Sequence, residues 1–235
     1  MDSSHQRYTQ LLALAVHELR TPASVVGGYL RMLQMDHTPP MSERQRRMIG
    51  EAEKSYERLV AIVTELSDIG KLDSGAIDLA RQPLDLFSLI CEIAGRVTEA
   101  KDRDVQLTLG GPSEGASITG DAVRLREALD AVFRAILRER PGPAVVIAER
   151  RLETRDGRLC AVLVVADQEH AQEAYDREAG AFDDTRGGLG LGLPLARRVI
   201  EGLGGRIWSP APSASHQTDG ADPIARGSVI VAFPL

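Results

Sequence analysis

The first seventy-odd residues carry a strong helical hydrophobic pattern and contain no convincing strand. Apolar positions recur every seven residues, with a second set offset by three, which is the a/d pattern of helices that pack in a bundle. The first set is Leu12, Leu19, Val26 and Leu33, and the second is Tyr8, Ala15, Pro22 and Tyr29. The segment His37-Thr38-Pro39-Pro40 breaks the pattern and predicts the end of this helix.

A second helix is predicted to follow the break. Ser42 and Gln45 have the spacing of a capping box, in which each residue satisfies a backbone N–H of the other. The a and d positions form the apolar seam between packed helices. In this helix the seam continues through Met48, Ala52, Ser55, Leu59, Ile62, Leu66 and Ile69 and ends near Gly70 to Gly75. Two helices with one apolar seam each cannot enclose a core, whereas two hairpins can form an antiparallel four-helix bundle. We therefore expect residues 1–75 to form a dimerisation hairpin, and the protein to be a homodimer.

From about Ile77 onward, short strands alternate with helices. The predicted strands are Val105–Leu109, Ala144–Arg150, Leu159–Ala166, Arg206–Trp208 and Ser228–Phe233. The predicted helices are Leu86–Ala100, Val123–Glu139 and Leu193–Leu203. Asp156-Gly157 is expected to form a hairpin turn, and Pro210–Arg226 a mobile surface loop. Residues 76–235 are therefore expected to form an α/β-sandwich domain, with a mixed sheet covered by helices.

Composition narrows the function classes. A chain of 235 residues has room for one large or two modest domains, and 43% hydrophobic residues exclude wholesale disorder. The net charge of −6 and the lack of an evident basic face argue against nucleic acid as a partner. No apolar window is long enough for a membrane span, and the first residues lack a secretion signal. With two distant cysteines, Cys91 and Cys160, we expect a cytoplasmic protein without disulfides.

His17 falls at heptad position f, which faces away from the seam. Glu18 is at g, and Thr21 lies one turn beyond His17 on the same outer face. A solvated surface histidine is the ordinary interpretation of His17. However, a proline in a helix interior lowers helix stability by about 3 kcal/mol, so the presence of Pro22 one turn beyond needs an explanation. A zinc site is excluded because the second histidine, four residues on, is missing.

The octapeptide Ala15-Val16-His17-Glu18-Leu19-Arg20-Thr21-Pro22 resembles the phosphoacceptor box of two-component histidine kinases. The resemblance implies that His17 carries a phosphoryl group, since neutral imidazole is a competent nucleophile near pH 7. Glu18 would then accept or orient the other ring proton, and Thr21 would position the water of the reverse, phosphatase reaction. The implied partner is the receiver domain of a response regulator.

A glycine-rich segment, Gly187-Gly188-Leu189-Gly190-Leu191-Gly192-Leu193-Pro194, precedes a predicted helix. Glycines let backbone N–H groups approach phosphate, and a helix N-terminus adds positive potential. The segment resembles the second glycine box of the same kinases, and Gly227–Leu235 resembles the last strand of their GHKL-type ATP-binding domain. The resemblance thus covers nearly the whole chain and implies that Gly188, Gly190, Leu191 and Gly192 bind ATP.

The helix from Asp121 to Ala135 departs from the family pattern. It aligns with the asparagine box, but Ala131 and Ala135 stand where the asparagines should be. The second asparagine of the family holds Mg²⁺ against the triphosphate, and an alanine methyl offers a hard cation nothing. Glu127 is an oxygen-bearing neighbour that could substitute, whereas Asp130 is one residue off the required face.

A second departure follows the strand Leu159–Ala166. The family has Asp-x-Gly-x-Gly where this chain has Asp167-Gln168-Glu169-His170-Ala171, so both glycines are missing. Asp167 could still accept a hydrogen bond from the adenine amino group, as the resemblance implies. Gln172–Arg186 is short for a phenylalanine box and an ATP lid, and only Phe182 is a candidate for that box. Arg138 could touch phosphate, although a solvated helix face is the simpler interpretation.

These observations leave three hypotheses. The first is a histidine kinase that uses Mg·ATP to phosphorylate His17 and passes the phosphoryl group to an aspartate of a response regulator. The second is a degenerate kinase that acts as a phosphotransfer, phosphatase or adaptor module and binds ATP poorly or not at all. The third treats the second half as an interaction domain without a ligand. The intact phosphoacceptor box, the retained glycine box and Asp167 favour the first hypothesis, and the eroded nucleotide boxes favour the second.

Overall fold

The computed structural model describes residues 3–35, 41–98, 100–155, 157–188, 190–213 and 222–235. The chain divides into two compact units, Met1–Asp78 and Leu79–Leu235. The first unit is a helical hairpin of α1 (Ser3–Met35) and α2 (Glu43–Asp73). The predicted break at His37–Pro40 lies outside the described residues. No helix among the described residues is long and apolar enough to cross a membrane.

The start of α2 confirms the predicted capping box. The Ser42 hydroxyl accepts a hydrogen bond from the Gln45 backbone N–H at 3.3 Å, and the Gln45 side chain accepts one from the Ser42 N–H at 2.9 Å. Two of the four N–H groups that a helix N-terminus leaves without partners are thereby satisfied.

Small residues form the contact between α1 and α2. Val16 and Ala23 are buried, and a Cβ atom added to Gly27 would lie 2.3 Å from the Tyr56 ring. Further along, the Gln34 amide donates to the Glu53 carboxylate at 2.6 Å. The two helices therefore approach closely along a line that runs through small side chains of α1.

This contact is not the seam that the heptad pattern predicts. Leu19, Val26 and Tyr29, all assigned to the seam, are 46%, 51% and 62% exposed in the single chain, and only Leu12 is half-buried. The physical reason is that α1 is apolar around more than half of its circumference. Periodicity identifies an apolar face, but it does not say which partner covers it.

The second unit is an α/β domain, and its elements alternate along the chain. In chain order they are β1 (Gln82–Asp85), α3 (Leu86–Ala94), a 3₁₀ turn (Lys101–Arg103), β2 (Val105–Gly110), β3 (Ser117–Gly120), α4 (Ala122–Arg138), β4 (Ala144–Arg155), β5 (Arg158–Asp167), α5 (Ala171–Asp176), β6 (Ala179–Gly180), a 3₁₀ turn (Arg186–Gly188), α6 (Gly192–Gly202), β7 (Arg206–Pro210), α7 (Pro223–Arg226) and β8 (Val229–Pro234).

Six strands form one sheet in the order β2-β4-β5-β8-β7-β6, and β1 pairs with β3 separately. Strands β2 and β4 are parallel, and the other pairs of the large sheet are antiparallel. A helical hairpin followed by an α/β domain with a mixed sheet confirms the expected fold class.

Strand β5 shows how the layers form. Val162 and Val164 pack with the α5 residues Ala171 and Ala174 on one face of the sheet. Because side chains alternate along a strand, Leu163 lies on the opposite face, on the side of α4. Both faces are buried, which explains why β5 reads as a continuous apolar run rather than an alternating one.

The structure differs from the sequence analysis at three places in this domain. The helix expected over Leu86–Ala100 ends at Ala94, where Gly95 caps it. The short pair β1 and β3 was not expected, because four-residue strands carry little pattern. Residues 214–221 of the expected surface loop Pro210–Arg226 lie outside the described residues, and its last residues form α7, which Asp222 caps from a buried position.

Candidate functional site

His17 lies near the middle of α1, and its side chain is exposed. The preceding residue, Val16, is only 6% exposed because it packs into the contact with α2. Successive residues of an α-helix are turned by roughly 100°, so His17 is directed away from that contact. Its neighbours on the same face are exposed and polar or small: Gln10, Ala13, Arg20, Thr21 and Ser24.

Glu18 and Thr21 are exposed as well. In the part of the chain that the structure describes, no hydrogen bond joins either side chain to His17. Pro22 has no N–H, so the Glu18 carbonyl lacks the donor that a helix normally supplies four residues on. The imidazole is therefore reachable from outside the hairpin, by a docked protein or by water.

A separate apolar face of α1 lies on the side opposite to Ala13, Arg20 and Ser24. Its exposed members are Tyr8, Leu11, Leu14, Leu19, Val25, Val26, Tyr29, Met32 and Leu33. A contiguous apolar surface of this length is typical of a protein–protein interface. His17 does not lie on it, so covering this face would leave the histidine accessible.

The glycine segment forms a tight turn before α6. Gly187, Gly188 and Gly190 have φ angles of +72°, +58° and +68°, which only glycine adopts without strain. Leu191 precedes the first residue of α6, Gly192, and gives it no side-chain cap. The N-terminal N–H groups of this helix are thus not capped by the side chain before them, and they suit a phosphate group.

The position expected to bind Mg²⁺ does not fit a metal ion. Ala135 is completely buried, and a Cβ atom added to Gly187 would lie 2.7 Å from the Ala135 Cα atom. The backbone of the glycine turn therefore packs directly on α4, where a ligating side chain would need space. Among the described residues, no group of three or more His, Cys, Asp or Glu side chains could hold a metal ion.

Neither nearby acid replaces the missing asparagine. Glu127 lies eight residues before Ala135, which is about 12 Å along the helix, and its carboxylate pairs with Arg124 at 3.3 Å. Asp130 pairs with Arg134 at 2.9 Å. The structure does not bring Glu127 to the metal position that the sequence suggested for it.

Asp167, the candidate adenine contact, is engaged within the chain. Its carboxylate lies 3.5 Å from the Arg140 guanidinium, accepts a hydrogen bond from the Glu169 N–H at 3.1 Å, and lies 3.6 Å from the His170 imidazole. Arg140 also donates to the Gly227 carbonyl at 2.9 Å. The residue that would accept from adenine thus helps to tie the end of β5 to the start of β8.

Arg186, which directly precedes the glycine turn, is only 3% exposed. Its guanidinium donates to the carbonyls of Asp183, Arg226 and Ser228 and to the Ser209 hydroxyl. Burial lowers the pKa of Arg186, and the nearby Asp183 and Glu139 oppose that effect. This arginine fixes the segment that precedes the turn.

Arg138 lies half-buried in the last turn of α4, and its carbonyl accepts a hydrogen bond from Arg103 at 3.2 Å. The adjacent Glu139 accepts from the Gly187 N–H at 3.0 Å and pairs with Arg226 at 3.3 Å. Sequence reasoning missed Glu139, Arg140 and Arg186, since nothing in their local pattern distinguishes a charged side chain with partners elsewhere in the fold from a solvated one. Their long-range partners become visible only in the folded chain.

The known proteins that this chain is similar to include sensor histidine kinases. Residues 7–75 match the His Kinase A (phospho-acceptor) domain. The chain is 29% identical over 211 residues to the sensor protein GacS of Pseudomonas syringae pv. syringae, which covers 85% of this chain and 23% of GacS. The chain therefore spans about a quarter of the length of that relative.

Solved structures show the same fold. Full-length ShkA in complex with AMPPNP has a TM-score of 0.64 at 20% identity, covering 96% of this chain and 45% of ShkA. The histidine kinase ThkA in complex with the response regulator protein TrrA has a TM-score of 0.55 at 18% identity, covering 96% of this chain and 61% of that one. Residues 7–75 therefore belong to the His Kinase A (phospho-acceptor) domain family, and with the α/β domain that follows them the chain resembles the core of two-component sensor histidine kinases.

Proposed function

We propose that His17 is the phosphoacceptor of a two-component phosphorelay and passes its phosphoryl group to an aspartate of a response regulator. The observation that carries this proposal is the placement of His17 within the matched phosphoacceptor domain, exposed on a polar face of α1. The complex of the similar kinase ThkA with its regulator TrrA supports a receiver domain as the partner.

The proposed transfer needs little from the protein beyond positioning. The N–P bond of phosphohistidine breaks as a carboxylate oxygen of the regulator forms a new bond to phosphorus, and the imidazole leaves as a neutral base. Glu18, adjacent on the helix, orients the other ring proton. Thr21, one turn away, positions the water that hydrolyses the regulator's phosphoaspartate in the reverse direction.

ATP is the proposed phosphoryl donor, in line with the sensor histidine kinases that this chain resembles and with the AMPPNP complex of ShkA. The glycine turn and the N-terminus of α6 would receive phosphate oxygens through Gly188, Gly190, Leu191 and Gly192, and Arg138 would add a positive charge. Asp167 would have to exchange its Arg140 partner for adenine. The metal position offers no ligand, so no residue of this chain is assigned to Mg²⁺.

A second candidate function is favoured by the packing of Gly187 on Ala135 and by the pairing of Asp167 with Arg140. In that case the chain exchanges phosphoryl groups with a regulator, or dephosphorylates or docks it, without turning over ATP. Where the second function is phosphotransfer, His17 keeps its role, and the two functions then differ only in the source of the phosphoryl group.

The proposal includes a homodimer, formed when a second copy covers the apolar face of α1, with residues 1–75 as the dimerisation domain and 76–235 as the ATP-binding-like domain. It also includes a cytoplasmic location, supported by two free cysteines, Cys91 and Cys160, as expected in a reducing compartment.

The test offers the full chain a phosphorylated receiver domain and, separately, γ-labelled ATP with Mg²⁺. We expect label from the receiver to reach the wild-type chain and to fall at least 100-fold in His17→Ala, while His170→Ala, in the other domain, keeps it. Label that persists in His17→Ala contradicts the proposal.

The ATP arm separates the two candidates. Acid-labile label from ATP supports the kinase. Its absence, with transfer from the receiver intact, supports the second function. Calorimetry with Mg·ADP on Ala135→Asn then shows whether one residue accounts for the loss: binding gained in the variant assigns it to the missing ligand, and no gain assigns it to the packing of Gly187.

A further inference from the structure

A groove with several arginines lies on the α5 side of the large sheet, at the end where β4 turns into β5. Its volume is about 420 Å³, which falls in the range of small-molecule sites, roughly 300–1,000 Å³. Gly204 and Arg206, which follow α6, contribute to its wall. The glycine turn precedes the same helix, so the two sites are separated by the length of α6, about 16 Å.

Two arginines of the groove stack on one indole. The guanidinium of Arg155, on β4, lies 4.9 Å from the Trp208 ring centroid, and that of Arg206, on β7, lies 5.4 Å from it. Trp208 is 4% exposed, so its ring is a fixed platform. Stacking orders both guanidinium groups before any ligand arrives, which lowers the entropy cost of binding.

The groove has more positive charge than the residues around it neutralise. Arg155 pairs with Glu153, which leaves Arg158 and Arg206. Both are exposed, and neither pairs with a carboxylate among the described residues. Two residues with uncompensated guanidinium groups line one small cavity, which matches a ligand with two negative charges.

Small side chains leave room above the sheet. Cys160 on β5 and Ala232 on β8 line the groove between the arginines of β4 and β7. Both belong to the apolar cluster beneath α5, and each is 8% exposed. Larger residues at these two positions would fill the groove, so its depth depends on their size.

We propose that this groove binds a small phosphorylated molecule through the guanidinium groups of Arg158 and Arg206. The guanidinium fork matches the oxygens of a phosphate bidentately, and a compact cavity suits a small dianion better than an extended acidic peptide. The site is independent of the glycine turn and of His17, so it stands whether or not the proposed function does.

The test uses the protein's own reporter, because Trp208 is the single tryptophan of the chain. Titration of the full chain with pyrophosphate at constant ionic strength should change Trp208 emission in a saturable way. Arg158→Gln does not touch the indole and should weaken the apparent affinity at least tenfold. Arg96→Gln, an exposed arginine on another surface, should leave it unchanged.

Calorimetry on the same variants completes the test. Pyrophosphate binding that is weakened in both Arg158→Gln and Arg206→Gln supports the site. Binding that survives both substitutions belongs elsewhere, for example to the glycine turn, and overturns the proposal. The proposal also fails if pyrophosphate produces no saturable change, or if succinate or an oligo-aspartate peptide binds as tightly as pyrophosphate does.

Discussion

The phosphoacceptor hairpin and the glycine turn both carry a family motif, but the motif is exposed in the hairpin, whereas the surroundings of the turn are packed. His17 is exposed, with no described hydrogen bond to Glu18 or Thr21. Beside the turn, the chain's own groups take the contacts: the Gly187 backbone packs on Ala135, and the Arg140 side chain pairs with Asp167. An acceptor on a regular helix depends on local geometry alone. A nucleotide cleft depends on several elements that are distant in sequence, so it can be lost while one of its motifs is kept.

The largest expected effect concerns the phosphoacceptor hairpin. Leu19→Asp should weaken self-association at least 100-fold, because each copy would bury an unpaired carboxylate at the interface. Leu19 is 46% exposed in the single chain, so the hairpin itself should still fold. Sedimentation at micromolar concentration and helical circular dichroism measure the two effects separately.

Ala13→Asp is the matched control, since Ala13 is exposed on the polar face beside His17. It should leave association unchanged. Equal dissociation by both variants, or a wild-type chain that is monomeric, would show that the apolar face is not the interface.

The next effect concerns the segment that precedes the glycine turn. Arg186→Leu removes the donor that satisfies three carbonyls and the Ser209 hydroxyl in a buried position. We expect a loss of about 3–5 kcal/mol in the free energy of unfolding of the α/β domain, measured by urea denaturation, because several buried acceptors lose their donor at about 1–3 kcal/mol each. Arg197→Leu removes an exposed pair with Glu201 and should cost less than about 1 kcal/mol. Equal effects would mean that Arg186 does not hold this segment.

A smaller effect concerns pH. Burial alone would raise the pKa of Asp222, but the Ser213 and Ala225 N–H groups and the Arg177 guanidinium outweigh it and hold the pKa well below its ordinary range. A depressed pKa in the folded state stabilises the protein above the unfolded value, about 3.9, and this stabilisation is lost as pH falls below it.

Asp222→Asn should therefore lower the free energy of unfolding by about 2 kcal/mol at pH 7, where the charged hydrogen bonds are intact. The difference from wild type should shrink below about pH 4. Urea titrations at pH 7, 5 and 3.5 measure it, and a difference that stays constant down to pH 3.5 would rule out the charge as its cause.

Five of the six strands of the large sheet were predictable because each has an apolar run or alternating apolar positions, whereas β6 is only two residues long and was not predicted. Val105–Leu109 became Val105–Gly110, and Leu159–Ala166 became Arg158–Asp167. The pair Gln82–Asp85 and Ser117–Gly120 was not predictable, since its stability comes from pairing between segments more than thirty residues apart. Helix α7 was missed because four residues are too few to show a helical period, although Asp222 and Pro223 have the pattern of an N-cap and a first helical residue.

The candidate site shows the same division. The sequence placed His17, Glu18 and Thr21 on an outer face, and these remain predictions of function. It also named Ala135 as the weak point of the nucleotide boxes, but it could not show that Gly187 packs there.

By itself, the sequence determined the helical hairpin, the α/β half, the phosphoacceptor motif and the absence of asparagine at position 135. These follow from periodicity, turn chemistry and residue identity, which act over a few neighbouring residues. Only the tertiary structure decided which face of α1 packs on α2, which carbonyls the buried Arg186 meets, and that Arg155, Arg158 and Arg206 line one groove with Trp208. Such contacts join residues that are far apart in the chain, and their free energies depend on burial and distance.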